Sequence, residues 1–496
     1  MNDYLDLAGQ LMMVRLFGTE LDAETDAFLR AHRIRGACLF RQNMVDAAQL
    51  TRFTGRLKDA LGPQALIALD QEGGAVVRAT WVPAPPSAMA LGAADDPILA
   101  REVGAAVARA VRSLGFNWNF APVLDLNNNP HNPVIAERSF GADPLLAARL
   151  AMAWMAGSAS EGVACCVKHF PGHGDTHVDS HRDLPTVDKP LEELERFEFA
   201  PFRIAAQGAN AAPAVMTAHI VYPALDPVNP ATMSHAILTG ILRDGFNYDG
   251  VIITDGMDMH AIAHRYGAGQ AAVNALVAGA DMVMAIGSRE TQLETVHAIA
   301  AAIRDGVLPL AQVEERLARL GRLADLHPAG AVAYAVEHDD RVLMARAWRA
   351  GLSTLRDPQR PARGSRVRLV ARADVVSDGV SEAGVPAAAI AAALSTLYDV
   401  ELATFADAET FDWPSLPQDG RFTILASTSR RRYGEHARAT WRPDLHLALW
   451  NPYQALDFPS PALLTYGFAP PALDAALAWL AGEVGANGRC PVPGFD

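Results

Sequence analysis

The chain has 496 residues with a formal net charge of −14; half of its residues are hydrophobic and 20% are charged. Nucleic acid and anionic membrane surfaces are excluded as main partners, because binding them rests on a basic excess that neutralises phosphate, and a composition able to fill large cores excludes dominant disorder. Length alone allows roughly two to four domains. The opening MNDYLDLAGQ carries two aspartates, and no Lys or Arg precedes Arg15, so the basic start of a secretory signal is missing. No apolar run is long enough to span a bilayer. The expectation is a cytoplasmic protein with no membrane partner. Cys38, Cys165, Cys166 and Cys490 are too few for a disulfide framework and are expected as reduced thiols.

In chain order, short β-like runs fall at 11–17, 36–40, 65–70, 116–125, 163–170, 214–220, 251–256 and 281–287. Helix-like amphipathic stretches lie between them at 21–33, 95–115, 143–159, 191–207 and 289–306. Such alternation implies a parallel sheet, and eight units suit a closed (β/α)8 barrel of the TIM type. The barrel is placed at residues 1–335, ending after the helical run 311–326. A helix and a linker rich in Pro and Arg, DPQRPARGSR (357–366), occupy 336–366. Beyond them, β-like runs at 367–371, 422–427, 446–450 and 462–467 indicate a smaller α/β sandwich domain over 367–496. The fold class is therefore α/β, a barrel followed by a smaller α/β domain.

In a parallel barrel, reactive residues gather on the loops at the C-terminal ends of the strands. Those ends carry Asp70 in LDQEGG, Asp125 in PVLDLNNNP, Lys168 and His169 in VKHFPGHG, His219 in MTAHI and Asp255 in IITDG. Any one of them suits a helix cap; together they describe a polar pocket with charges of both signs. Arg78 and Arg138 suit structural ion pairs and ligand contacts equally. The densest segment is KHFPGHGDTHVDSHRDLP (168–185), where His169, His173, His177 and His181 recur every four residues. On a helix they would form a metal-binding face, but Pro171, Gly172 and Gly174 break that helix. No metal and no cofactor is expected. A turn could instead set the Asp179 carboxylate against His181, a pairing that moves protons. Asp255 ends the apolar run VIIT and is a credible nucleophile, whereas Asp258, beyond the strand, reads as a cap or loop residue. A nucleophilic Asp255 with an Asp179–His181 acid/base is retaining glycoside chemistry with a histidine in place of a second carboxyl.

At this point the sequence resembles glycoside hydrolase family 3, and within it the bacterial β-N-acetylglucosaminidases of the cell-wall recycling type. The matching stretches are DQEGG (70–74) with Arg78, FAPVLDLNNNPHNPVIAERSFG (120–141), VKHFPGHGDTHVDSHRDLP (167–185), VMTAHIVYPALDP (215–227), PATMS (230–234) and GVIITDGMDM (250–259). The resemblance implies Asp255 as nucleophile, His181 as acid/base with Asp179 as its partner, and Asp70, Arg78, Arg138, Lys168 and His169 as the residues that hold N-acetylglucosamine. It implies a small carbohydrate as partner, from muropeptides or chitin-type oligosaccharides. Gly256 departs from relatives, which often carry Asp or Ala there. Phosphorolysis, a silent sugar-binding protein and a metal-dependent hydrolase stand as alternatives. NPYQALDFPSPALLTYG (451–467) and GRCPVPG (488–494) resemble the family's second domain more weakly. Within the first of these, Asn451 and Tyr453, with the preceding Trp450, follow a strand and could contact a sugar, although Trp450 reads as core.

Overall fold

A computed structural model describes residues 2–176, 184–259, 262, 265–377 and 379–495. Eight strands, β1 (Met12–Arg15), β2 (Gly36–Cys38), β3 (Leu66–Leu69), β4 (Trp118–Asn119), β5 (Ala164–Phe170), β6 (Ala214–Thr217), β7 (Val251–Gly256) and β8 (Met282–Ala285), run parallel in sequence order and close when Met12 pairs with Val283. Almost every residue in them is buried. That is why they read as apolar runs without alternation: side chains of one face fill the barrel and those of the other pack beneath helices. Helix starts are marked locally, since Asp22, Asp46, Ser87, Asp96, Asp143 and Ser288 each accept a backbone N–H of the first turn. After Asp96 and Asp143 a proline takes the first helical position, where no donor is needed.

The fourth strand is far shorter than the run 116–125 suggests. Pro122 has no N–H to donate, so the regular ladder ends near it. The Asn119 side chain substitutes for the ladder, its Oδ1 accepting the Gln71 N–H at 2.9 Å and its Nδ2 donating to the Gln71 carbonyl at 3.0 Å. Pairing resumes where Leu124 N–H donates to the Lys168 carbonyl.

A second sheet of six strands follows. It contains β9 (Ser353–Leu355), β10 (Arg366–Arg372), β11 (Asp399–Phe405), β12 (Phe422–Ser427), β13 (Leu445–Ala448) and β14 (Ala462–Leu464), in the order β11-β10-β12-β13-β14-β9. All neighbours are parallel except β9 and β14. The four runs expected from sequence are the four inner strands; the two unexpected strands are the edges. β11 is half-exposed along its length, and β9, inside the segment expected to be a linker, is three residues long and defined only by pairing with β14. Trp450 and Tyr453 are buried in this domain's core, and Asn451 Nδ2 donates to the Arg430 carbonyl, so none of the three faces a sugar site. Cys38, Cys165 and Cys166 are buried, and all four cysteines are free thiols. Among the described residues, no helix is long and apolar enough to cross a membrane.

The C-terminal tail returns to the barrel: Arg489 N–H donates to the Ala93 carbonyl, and Ala142 N–H to that of Pro491. Gly141 lies under this tail at φ +149°, and a Cβ there would sit 2.6 Å from the Pro491 carbonyl oxygen. Gly62, at φ +93°, has open space around it. Gly141→Ala is expected to cost about 2 kcal/mol or more from strain and clash together, and Gly62→Ala distinctly less. Equal falls in melting temperature for the two variants would show that the tail contact contributes nothing.

Candidate active site

The C-terminal ends of the barrel strands surround a cavity of about 410 Å³, a size suited to a small ligand. Asp70 follows β3, Lys168 and His169 lie in β5, Asp255 in β7, and Arg78 and Arg138 on the loops after β3 and β4; all six line the cavity. Lys168 and His169 are adjacent in a strand, yet both reach it. The register of β5 against β6 shifts between Val167 and Phe170, which interrupts the alternation of faces at this point.

The cavity wall is built from a buried charge network. Lys168 Nζ lies 2.6 Å from Asp70 Oδ1 and 2.7 Å from Glu72 Oε1. Glu72 also receives Arg138 in a two-pronged contact, Nε to Oε2 and Nη2 to Oε1, both at 2.8 Å. Burial pushes the Glu72 carboxyl up, but the charges and hydrogen bonds of Arg138 and Lys168 outweigh it and hold the group well below the usual carboxylate range. Burial pulls Lys168 down, and Asp70 and Glu72 more than restore it. Arg138 is raised by the same partners against its own burial. Glu72, Lys168 and Arg138 are therefore all held toward their charged forms, and the donors of the two cations are fixed in place. Glu72 was not singled out in the sequence. Its signal lay in the DQEGG stretch, but only the fold shows that the second acid of that stretch faces both cations.

Asp125 does not line the cavity; it stands behind it. Its Oδ2 takes the Nδ1–H of His169 at 2.7 Å, while Oδ1 accepts the backbone N–H groups of His169 (3.1 Å) and His173 (2.6 Å). This orients the His169 ring, with Nδ1–H held on the carboxylate. Burial pushes Asp125 up, and the His169 ring and these donors hold it below its ordinary value.

Asp255 Oδ1 accepts the N–H of Gly256 at 2.7 Å. His219 sits beneath this turn, Nε2 donating to the Gly256 carbonyl at 2.9 Å and Nδ1 lying 2.9 Å from Thr232 Oγ1. It supports β7 rather than lining the cavity. Asp258, expected to be a cap or loop residue, lines the cavity beside Asp255. Asp179, His181 and His177 lie outside the described residues. Among the described residues, no group of His, Cys, Asp and Glu is arranged to hold a metal ion.

The second domain reaches the cavity. Gly379 and Val380 line it, Val380 packing with Val76, Val134 and Ile135. Arg78 joins the two parts of the chain. Its Nη1 donates to the Val380 carbonyl at 2.9 Å and lies 3.1 Å from Glu382 Oε1, while Nη2 is 3.6 Å from Asp70 Oδ2. Arg78 and Arg138 are both held in ion pairs, and both also line the cavity.

His173, 3% exposed, also lines the cavity; burial and the neighbouring His169 ring push its imidazole down to about 4 against the pull of Asp125. Between pH 6.5 and 4 the unfolded chain takes up a proton at this position and the folded chain does not, so stability falls as pH falls through that window, by up to about 3 kcal/mol. Melting temperatures at pH 6.5 and 4.5 should therefore differ less in His173→Gln than in the wild type. Identical differences would mean that His173 protonates freely in the fold.

The profile of the glycosyl hydrolase family 3 N-terminal domain matches residues 6–323. Beta-hexosaminidase A of Pseudoalteromonas piscicida is 34% identical over 73% of this chain, and the aligned part spans 62% of that relative's length. The beta-hexosaminidase of Idiomarina loihiensis is 34% identical over 58% of this chain and 87% of its own. Among solved structures, a family 3 β-N-acetylglucosaminidase from Paenibacillus superposes with a TM-score of 0.89 at 33% identity, covering 98% of both chains. Barrel, second sheet and sequence together establish that the chain belongs to glycosyl hydrolase family 3.

Proposed function

We propose that the chain is a retaining exo-β-N-acetylglucosaminidase that removes terminal β-linked N-acetylglucosamine from muropeptide or chitin-type oligosaccharides. The observation that carries this reading is the cavity lined both by Asp255 and by the buried Asp70–Lys168–Glu72–Arg138 ion-pair network. A compact cavity lined by residues of both domains, Gly379 and Val380 among them, suits a terminal unit better than a chain threaded through a groove. The names of the two relatives and of the Paenibacillus enzyme support the choice of sugar.

In this reading Asp70, Lys168, Arg78, Arg138 and His169 hold the hydroxyl and amide groups of the sugar, whose ring then needs no further ordering before reaction. The Asp255 carboxylate attacks the anomeric carbon as the bond to the leaving oxygen breaks, and His181, oriented by Asp179, supplies the proton to that oxygen. Water, deprotonated by His181, then attacks the same carbon and releases Asp255 as a carboxylate. The Gly256 N–H steadies Asp255 along the line of attack.

Asp255→Ala is expected to lower turnover of an aryl β-N-acetylglucosaminide by roughly a thousandfold or more, since the bond-forming group is removed. Azide should rescue it with formation of a glycosyl azide of inverted configuration. Wild-type turnover in the variant would end the nucleophile assignment. Removing one member of a buried ion network costs about 3–5 kcal/mol, so Glu72→Gln should lose at least about a hundredfold in kcat/KM. A loss below tenfold, in a variant whose melting temperature is also unchanged, would show that Glu72 does not organise the site.

A further inference from the structure

Four lysine or arginine side chains line the cavity among the described residues. Lys168, Arg138 and Arg78 each have a carboxylate partner. Arg15, the last residue of β1, has neither an ion pair nor a side-chain hydrogen bond among the described residues, and its Nε is shielded from solvent with no acceptor. Its guanidinium carbon lies 5.6 Å from the ring centroids of both Phe17 and Phe40. Such rings steady a cation by their faces without neutralising it or occupying its in-plane donors. The result is a held guanidinium whose fork of N–H groups is unspent, the geometry that receives a carboxylate or phosphate. Gln42 adds an amide to the lining of the same cavity.

We propose that Arg15 is an oxyanion-binding residue of the active-site cavity. The strands run around the barrel in sequence order, so β1 stands across from β5 and its Lys168. A sugar held by Asp70, Lys168 and Arg138 on the β3–β5 side leaves Arg15 to whatever is bound opposite. Resting on the reading above, the sugar unit that is removed carries no charge. The oxyanion then belongs either to the leaving group, as a carboxylate substituent, or to free phosphate acting as acceptor in place of water. In the second case a phosphate oxygen forms the bond to the anomeric carbon while the ester bond to Asp255 breaks, Asp255 departs as a carboxylate, and the product is a sugar 1-phosphate.

The test compares wild type, Arg15→Gln and Arg15→Lys on 4-nitrophenyl β-N-acetylglucosaminide and its 3-carboxy-4-nitrophenyl analogue, with and without inorganic phosphate. Products are identified, and melting temperatures in rising phosphate give a readout that does not need turnover. For a leaving-group carboxylate, the charged-to-neutral ratio of kcat/KM falls at least tenfold in Arg15→Gln and recovers in part in Arg15→Lys. For phosphate, the wild type forms sugar 1-phosphate and Arg15→Gln does not. The proposal is overturned if wild type and Arg15→Gln show the same ratio, the same products and the same melting response to phosphate. A wild type that cleaves neither glycoside but is stabilised by phosphate, where Arg15→Gln is not, would sink the glycosidase reading and leave the Arg15 site standing.

Discussion

Glu72 is the anion on which the cavity wall depends. Its side chain is 6% exposed and its two oxygens are divided between Lys168 and both prongs of Arg138. Two buried cations with one shared carboxylate removed would face each other in a medium that screens them poorly; with Glu72 present they become fixed donors. Because their hydrogen-bond directions are settled before any ligand arrives, a polar ligand meets an organised wall without having to order it. The contributing groups come from the segment after β3, the short helical turn Ala136–Arg138 and β5, brought together by the closure of the barrel. Barrel register is thus a condition of the chemistry, since it sets which residues of β5 reach the cavity.

Through Arg78 the second domain enters the same network. One end of that guanidinium is directed at Asp70 and the other is committed to the Val380 carbonyl and Glu382. The loop so anchored brings Val380 against Val76 and Val134, adding apolar lining to the cavity next to its charged groups. The tail reinforces the arrangement from outside, because Pro491 holds the Gly141–Ala142 backbone directly after the loop that carries Asp125 and Arg138. The length beyond the barrel, which no catalytic motif requires, is therefore part of how the cavity is lined and how Arg78 is aimed.

The eight barrel strands and the four inner strands of the second sheet were legible because a strand buried on both faces must be apolar throughout, and that is a local property of the chain. β9 and β11 were not, because an edge strand half open to solvent shows no such run and β9 exists only by pairing with β14, more than a hundred residues away. Pro122 cut β4 short for a reason visible in the sequence, yet the apolar pattern ran past it. Asp70, Lys168, His169 and Asp255 were legible by position, since polar residues at the ends of barrel strands face the cavity. Asp258 lies one turn beyond its strand and was read by that local position, but the loop folds it back onto the cavity.

The sequence by itself determined the fold class, the family resemblance and the set of strand ends at which reactive residues gather, because hydrophobic periodicity and motif spacing are written along the chain. Tertiary structure alone decided that Glu72 lies between the cations, that Asp125 stands behind His169, that Val380 lines the cavity and that Arg15 has no side-chain hydrogen bond or ion pair among the described residues. Each of these depends on which charged groups from distant segments come within a few ångströms of one another. Over such distances the energy of a charge is set by its neighbours in space and by the loss of water around it, neither of which is encoded in the residues adjacent to it in sequence.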